Sequence, residues 1–573
     1  MDKHRRIFLL QSGIIAAGSA ALPASAWANN WLDRRTDQTD ILAKLSALND
    51  QIVENQLPRQ ISRKGDRWDG GLPDEYELPN AHATTWFIIY VGTAYASPNS
   101  VYFESLALEQ PLERAISCLL NVQYEDGTID LHSTNFHSTP DTAFLVNYLS
   151  PVYVCLKRMN KPGLAAFIQK MAQFFKNAGK CLLVGGIHTA NHRWVVSSAL
   201  ARLHSFFPSQ EYVDRIDEWL SEGIDLDPDG QYTEHSVGTY SPTCNNMFIT
   251  ISRLLGRPEL LEVVRKNLEM SLYYIQPGGE VLTDASGRQD KAEKKYVDPY
   301  YYAYKYLAIQ DKNAAFSAVC ALIEAQMPEK VVRQLAMLLE DKHFEKPVPS
   351  PSAIPVDYFK RFSHSGVFRI RKGETDLSVI EKNPTFLSFI KGKAVMQSLR
   401  LAASFFAKAQ FEAEAATVES ETIILKKTVT RGYYQPFPKE KRTGDGDWEK
   451  MPRDERTLSE AQTLDMTVRI SGKAGRVAIE MEISGTPHVP VALEMSFRAG
   501  GQLSGVSKDE RVEDAFFLES GFGEYRVDDD VISFGPGRVT HKWSQMRGML
   551  PKQDGLSVYL TGYTPFNYRM ELK

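Results

Sequence analysis

The sequence predicts a multidomain α and β protein. An N-terminal (α/α) toroid of helical hairpins occupies residues 29–340, and a C-terminal antiparallel β-sandwich or stack of sheets occupies residues 361–573. Two observations predict this. Apolar residues recur at helical spacing as far as about residue 340, then at a spacing of two. Between them, residues 341–360 carry Pro347, Pro349, Pro351 and Pro355, the composition of a linker.

The helical runs include Ile41-Leu42-Leu45, Phe144-Leu145-Tyr148-Leu149-Val152-Tyr153 and Phe248-Ile249-Ile251-Leu254-Leu255. Lys161-Pro162-Gly163, Phe207-Pro208-Ser209 and Gly256-Arg257-Pro258 punctuate them as turns. Polar loops launch helices near Asn80, Pro140, Asn191, Pro242 and Pro299, roughly 50–60 residues apart, enough for two helices and their connections. If alternate helices form an inner ring, all five loops lie at one end of it.

The β region shows period two in Val367-Phe368-Arg369-Ile370-Arg371. It recurs in Met466, Val468 and Ile470, in Val477, Ile479, Met481 and Ile483, and in Leu556, Val558 and Leu560. Segment 435–460 is too polar for a core and reads as a long loop.

Residues 1–28 read as an export signal excluded from the fold. A basic start precedes the mostly apolar Ile7–Ala21 stretch and an Ala24-Ser25-Ala26 cleavage site. Arg5-Arg6 before Ile7-Phe8-Leu9 resembles a twin-arginine signal; an ordinary secretory signal is the other reading, and both place the mature chain in the periplasm or beyond. After this segment no apolar run reaches the roughly 20 residues that span a membrane. A net charge of −5 with mixed signs argues against a nucleic-acid partner. The five cysteines, Cys118, Cys155, Cys181, Cys244 and Cys320, are widely spaced without a C-x-x-C, and read as buried thiols with one disulfide left open.

The loops carry the functional signal. Six of the twelve histidines fall between residues 132 and 235, and five of those lie in these loops. The third loop, Gly185-Gly186-Ile187-His188-Thr189-Ala190-Asn191-His192-Arg193-Trp194, runs into an apolar helical pattern, with Asn191 placed as its N-cap. A helix N-terminus suits an anionic ligand. Eliminating a uronide requires groups that neutralise its carboxylate, a base for the C5 proton, and an acid for the leaving oxygen. Asn191, His192, Arg193, His137, His235, Tyr240 and Arg288 offer all three.

A helical N-terminal region, the Asn191-His192 pair, the later Asp229-Gly230…Tyr240 segment and a β-rich C-terminal half resemble polysaccharide lyases of the heparinase II/III and oligoalginate lyase type. The resemblance covers most of the mature chain in architecture, on short motifs. It implies that Asn191 and His192 face the uronate carboxylate and that Tyr240, or alternatively Tyr232, transfers the proton. It also implies a residue from the β region, for which His364 and Arg400 are the candidates. A branch that splits rhamnose from glucuronate is one such relative.

The expected catalytic set is therefore Asn191, His192, Tyr240 and His137. His82, Arg193, Glu234, His235, Arg288, Tyr301, His364 and Arg400 are expected to bind substrate. Each has a structural alternative: Asn191 as a plain N-cap, Tyr300-Tyr301-Tyr302 as packing, Glu234 and His235 as a local ion pair. The competing enzyme is a glycoside hydrolase on the same scaffold, using an acid pair drawn from Asp141, Asp229, Glu234 and Asp284. A non-catalytic glycan binder is a third class. No cofactor is required for elimination, no catalytic metal is expected, and a structural divalent ion, which the resemblance allows, is not predicted. The expected partner is a uronate-containing glycan, cleaved from a chain end.

Overall fold

The computed structural model describes residues 38–573 apart from 452 and 474. The expected export signal, residues 1–28, lies outside the described residues. The chain divides between Pro355 and Val356 into two units.

The first unit is built of helices α1 (Gln38–Gln56), α2 (Ala81–Ala96), α3 (Glu109–Val122), α4 (Thr139–Met159), α5 (Ala165–Val184), α6 (Ala190–Phe206) and α7 (Gln210–Ser221). Then follow α8 (Tyr240–Leu255), α9 (Leu261–Ser271), α10 (Tyr301–Asp311), α11 (Ala314–Gln326), α12 (Pro328–Val331) and α13 (Leu335–Glu340). Even-numbered helices α2, α4, α6 and α8 pack side by side, and α10 continues the row beside α8. Each is followed by an odd-numbered helix packed on its outer side.

Composition decides which layer a helix joins. Helix α2 is buried on nearly every side, through Phe87, Ile88, Ile89, Val91 and Ala94, as an inner helix must be. Outer α7 buries only Ile216 fully and turns its charged residues outward. Helices α12 and α13 pack back on α1, and α13 on α2 and α4. At the C-terminal ends of the inner helices, Glu340 of α13 accepts hydrogen bonds from Arg202 of α6 and, at 2.9 Å, from Arg253 of α8. All five cysteines are buried and unbonded.

Three short hairpins decorate the loops at the other end: β1 (Leu72–Pro73) with β2 (Pro79–Asn80), β3 (Ile129–Leu131) with β4 (Asn135–Ser138), and β5 (Glu280–Val281) with β6 (Lys295–Tyr296).

The stretch expected as linker is only partly one. Lys342–Glu345 forms a 3-10 turn. It belongs to the helical unit because Phe344 and His343 pack on Tyr302 and Tyr306. Strand structure resumes at Asp357.

The second unit contains β7 (Asp357–Phe362), β8 (Val367–Lys372), β9 (Thr375–Ile380), β10 (Leu387–Lys391), β11 (Ala394–Ala403), β12 (Ala415–Glu419), β13 (Thr422–Tyr434), β14 (Leu458–Lys473) and β15 (Arg476–Gly485). It continues with β16 (Pro490–Phe497), β17 (Gln502–Ser504), β18 (Ser507–Lys508), β19 (Ala515–Phe517), β20 (Gly523–Val527), β21 (Asp530–Gly535), β22 (Leu556–Tyr563) and β23 (Phe566–Leu572).

They form a nine-stranded sheet, ordered β18-β19-β22-β16-β11-β10-β9-β8-β7, and an eight-stranded sheet, ordered β12-β13-β14-β15-β23-β21-β20-β17. Alternate residues of both sheets make one apolar core: Phe368, Leu377, Phe389, Leu399, Leu493 and Val558 from the first, Ile423, Val468, Ile479, Ile532 and Met570 from the second. Pairing is antiparallel except between β19 and β22, which run parallel, a departure from the wholly antiparallel expectation.

Candidate functional site

The inner helices of the first unit start from polar loops, and side chains join those loops across the row. Helix α2 is capped by Asn80, whose Oδ1 accepts from the backbone N–H groups of His82 and Ala83 at 2.8 and 3.2 Å. Helix α4 is capped by Ser138, and Asp141 in its first turn accepts from Asn135 at 2.8 Å and from Ser138 at 2.5 Å. The same Asp141 reaches across to α2, with Oδ1 3.8 Å from His82 Nε2. Burial pushes His82 below its ordinary value, against the pull of Asp141.

Helix α6 begins at Ala190 with Thr189 in the cap position, two residues before the Asn191 cap expected from sequence. Thr189 makes no side-chain cap bond. The cap comes instead from Glu234, in the loop before α8. Its carboxylate accepts from the Asn191 backbone N–H at 3.0 Å and from Asn191 Nδ2 at 3.2 Å. An acid suits this place, at the positive end of α6. Burial raises the Glu234 carboxyl, while the Asn191 N–H and Arg288 oppose the rise. Thr189 Oγ1 donates to Asn191 Oδ1 at 3.2 Å. The Asn191 amide is thereby oriented, and Nδ2 keeps a second hydrogen for a ligand.

His192, next on α6, is buried, with edge contacts to His188 at 4.7 Å and to Phe144 of α4 at 6.1 Å between ring centroids. Burial, then the neighbouring His188, lowers its pKa to about 4, so the ring is neutral near pH 7. Its Nδ1 is buried without a hydrogen-bond partner. The charges of Asp141 and Arg288 both act on this ring.

Tyr240 is the first residue of α8 and is half-buried. The Arg288 guanidinium sits over its ring, 5.2 Å from the centroid, and Arg288 Nε lies 3.4 Å from Glu234 Oε2. Burial raises the Tyr240 phenol above its usual range, with Arg288 opposing, so it stays protonated at neutral pH. Asn191, His192, Tyr240, Glu234, Arg288 and His82 thus belong to one cluster at the N-terminal ends of α2, α4, α6 and α8.

The other expected residues lie elsewhere. His137 has φ of 47°, stacks on Tyr124 at 3.8 Å and bonds Asp126 at 2.9 Å, so the β3–β4 hairpin holds its exposed ring. His235, with φ of 51°, is half-buried and lowered by desolvation. Positive φ on two non-glycine residues of these loops is strained backbone of the kind that gathers at functional sites.

Arg193 is a correction. It bonds the Gly223 carbonyl at 3.0 Å, pairs with Asp225 at 3.1 Å and Glu222 at 3.3 Å, and stacks on Trp194. One step along the helix from His192, it points towards the segment after α7. Tyr301 is a second correction, being wholly buried with its hydroxyl on Glu324 and Lys305. The alternative Tyr232 is also core, stacked with Phe248 and bonded to Asn245 at 3.0 Å.

In the second unit, His364 is exposed in the β7–β8 turn. Arg400 is buried on β11 and pairs with Glu494 at 2.6 Å, which commits its guanidinium to the sheet instead of to a ligand. Among the described residues, no three His, Cys, Asp or Glu side chains converge to hold a metal ion. None of the described helices is long and apolar enough to cross a membrane.

Sequence reasoning missed the aromatic wall beside this cluster. Trp86 of α2 and Tyr148 of α4 lie 5.1 Å apart, and Tyr148 meets Phe144 at 5.8 Å. All three are only partly buried. They sit within apolar helical runs, so periodicity alone reads them as core; the signal left in the sequence is their large aromatic type so near the polar loops.

No family model matches the chain, and no curated protein matches its sequence. Solved structures do. Heparinase III aligns over 96% of this chain and 86% of its own, at 11% identity and a TM-score of 0.54. Xanthan lyase from Paenibacillus aligns over 94% of this chain at 10% identity and a TM-score of 0.57, this chain spanning 58% of that protein. Chondroitin AC lyase from Streptomyces coelicolor A3, in complex with chondroitin sulphate, aligns over 94% of this chain and 80% of its own, at 11% identity and a TM-score of 0.52. The chain shares the fold of these lyases. The lyase fold confirms the expected class, helices first and large sheets after.

Proposed function

We propose that this protein is a polysaccharide lyase that cleaves the glycosidic bond to a uronic acid by β-elimination. The observation that carries the proposal is the convergence of Asn191, His192 and Tyr240, with Arg288, at one end of the helical unit of a lyase fold. The lyases sharing this fold are named for acting on heparin, xanthan and chondroitin, acidic glycans by class.

The chemistry follows from the protonation states. The free Nδ2 hydrogen of Asn191 and the charge of Arg288 meet the uronate carboxylate and draw its negative charge, which makes the C5 proton acidic. His192 is neutral at pH 7 and has an open nitrogen, so it takes that proton. The arriving carboxylate raises the basicity of His192 by favouring its charged form. The electron pair forms the C4–C5 double bond, the C4–O bond breaks, and the Tyr240 phenol protonates the departing oxygen. Glu234 orients Asn191 and Arg288 and takes no part in proton transfer.

A hydrolase would need two available acids. Asp141 accepts from Asn135 and Ser138, and Glu234 accepts from Asn191, so both serve as anchors for other groups. The long connections before α4 and α8 favour cleavage at a chain end, and we propose glucuronate as the uronide. Arg5-Arg6 and Ala24-Ser25-Ala26 support export to the periplasm. The test is ultraviolet absorbance of the new conjugated double bond, with the mature chain incubated on alginate, heparan, hyaluronan and rhamnoglucuronan. Absorbance that vanishes in His192→Ala and Tyr240→Phe supports the proposal; new reducing ends without absorbance overturn it.

A further inference from the structure

An arginine outside the cluster has an unusual setting. Arg333 lies in the 3-10 turn Val332–Gln334, before α13, and is exposed. Its guanidinium carbon stands 4.9 Å from the Trp86 ring centroid, and its Nε donates to the Tyr90 hydroxyl at 3.2 Å. These two contacts fix the plane of the fork. Among the described residues, no carboxylate comes within 4 Å of it. Its charge acts on Asp298, whose carboxyl burial raises to about 6.

Two arginines of the helical unit, Arg193 and Arg253, make a contrast. Arg193 is held by Asp225 and Glu222, and Arg253 by Glu340 and Asp341. Their forks are filled by carboxylates through charge-assisted hydrogen bonds. Arg333 is held in place and left open.

Its position gives the open fork a use. Trp86, under Arg333, is in ring contact with Tyr148, Tyr148 with Phe144, and Phe144 with His192. The charge of Arg333 reaches Tyr148, as does Tyr240 from the other side. A glycan with one sugar at His192 would run its next sugars along this aromatic wall, where apolar sugar faces pack on rings. Arg333 waits at the far end, more than one ring beyond the cleavage point.

We infer that Arg333, with Trp86 and Tyr148, forms a second anion-binding subsite that takes a carboxylate or sulfate on a neighbouring sugar of the same chain. The substrate is then acidic at more than the cleaved residue. This rests on the glycan-cleaving reading above, and direct binding separates the two.

The test titrates the full chain calorimetrically with three tetrasaccharides: one of four glucuronates, one carrying a single glucuronate at its reducing end with a sugar on its C4 oxygen, and one sulfated, derived from heparin. Turnover is followed in parallel. Arg333→Ala is expected to weaken binding of a multiply charged tetrasaccharide about tenfold, the loss of one charge-assisted hydrogen bond. Binding of the singly charged one should change less than about twofold, with kcat retained. Whichever multiply charged probe suffers more identifies carboxylate or sulfate as the anion. Arg333→Lys keeps the charge but loses the planar stack, and should recover part of the affinity.

An unchanged unfolding temperature in Arg333→Gln guards against a folding defect. Equal loss on all three probes, loss on none, or no binding by the unaltered protein overturns the inference. Binding that depends on Arg333 without any double-bond product overturns the lyase reading alone.

Discussion

The Glu234 carboxylate accepts two hydrogen bonds from Asn191, one from its backbone N–H at 3.0 Å and one from its side-chain amide at 3.2 Å. One acid from the loop before α8 therefore caps α6 and aims the first residue of the Asn191-His192 pair. Structure and chemistry meet at that contact.

Removing it should affect both. Glu234→Ala is expected to lower stability by about 1–2 kcal/mol, as loss of a helix cap does. It should also lower kcat by about a hundredfold, because Asn191 loses its orientation. Thermal unfolding and the double-bond assay read the two effects. A full stability loss with unchanged kcat would leave Glu234 a cap and nothing more.

Tyr240→Phe should separate chemistry from folding. The hydroxyl lies near Arg288 and, at 3.5 Å, near Gln289, so little packing is lost. We expect kcat to fall by about 10²–10⁴-fold with an unchanged unfolding temperature, the size of a lost general acid. A change in KM alone would contradict proton transfer by Tyr240.

His192 gives stability a pH dependence of known sign. Unfolded, its imidazole takes a proton near the usual 6.5; folded, burial and His188 delay this to about 4. Between these values the unfolded chain binds more protons, so stability falls as pH falls through this window. The decrease amounts to about 3 kcal/mol from this one residue. Urea unfolding from pH 7 to 4 should show it, and His192→Gln should flatten the slope.

Arg193 and Arg288 should diverge. Arg193→Ala breaks contacts to Asp225, Glu222 and the Gly223 carbonyl and should lower the unfolding temperature with little change in KM. Arg288→Ala leaves the fold nearly intact and should raise KM about tenfold, through loss of a charge that faces the carboxylate. Steady-state kinetics beside calorimetry distinguishes them.

Arg400→Ala tests the β unit. It leaves Glu494 buried with Ser557 and Tyr559 as its hydrogen-bond donors but no cation. A destabilisation of about 3–5 kcal/mol is expected. An effect confined to KM would restore Arg400 as a ligand-binding residue.

Much of this fold is legible in the chain, because periodicity is a local property. Val477, Ile479, Met481 and Ile483 alternate, and they do face one core. The polar loops at Asn80, Pro140, Asn191 and Pro242 do precede inner helices, since Asn80 and Ser138 cap helices by contacts only two or three residues long. Tyr301, Tyr232 and Arg400 were illegible. Residue type alone does not distinguish an aromatic or arginine facing a ligand from one whose polar atom finds a buried partner such as Glu324, Asn245 or Glu494.

By itself, then, the sequence determined the class of fold, the order of its two parts and the helix starts at which Asn191, His192 and Tyr240 lie. Spacing and turn chemistry act over a few residues and are written in the chain. Only the tertiary structure decided which polar groups remain open. It closed Arg193 with Asp225, gave Glu234 to Asn191, and set Trp86 and Tyr148 beside the cluster. The availability of a side chain depends on partners dozens of residues away, and those meet only when the helices stack.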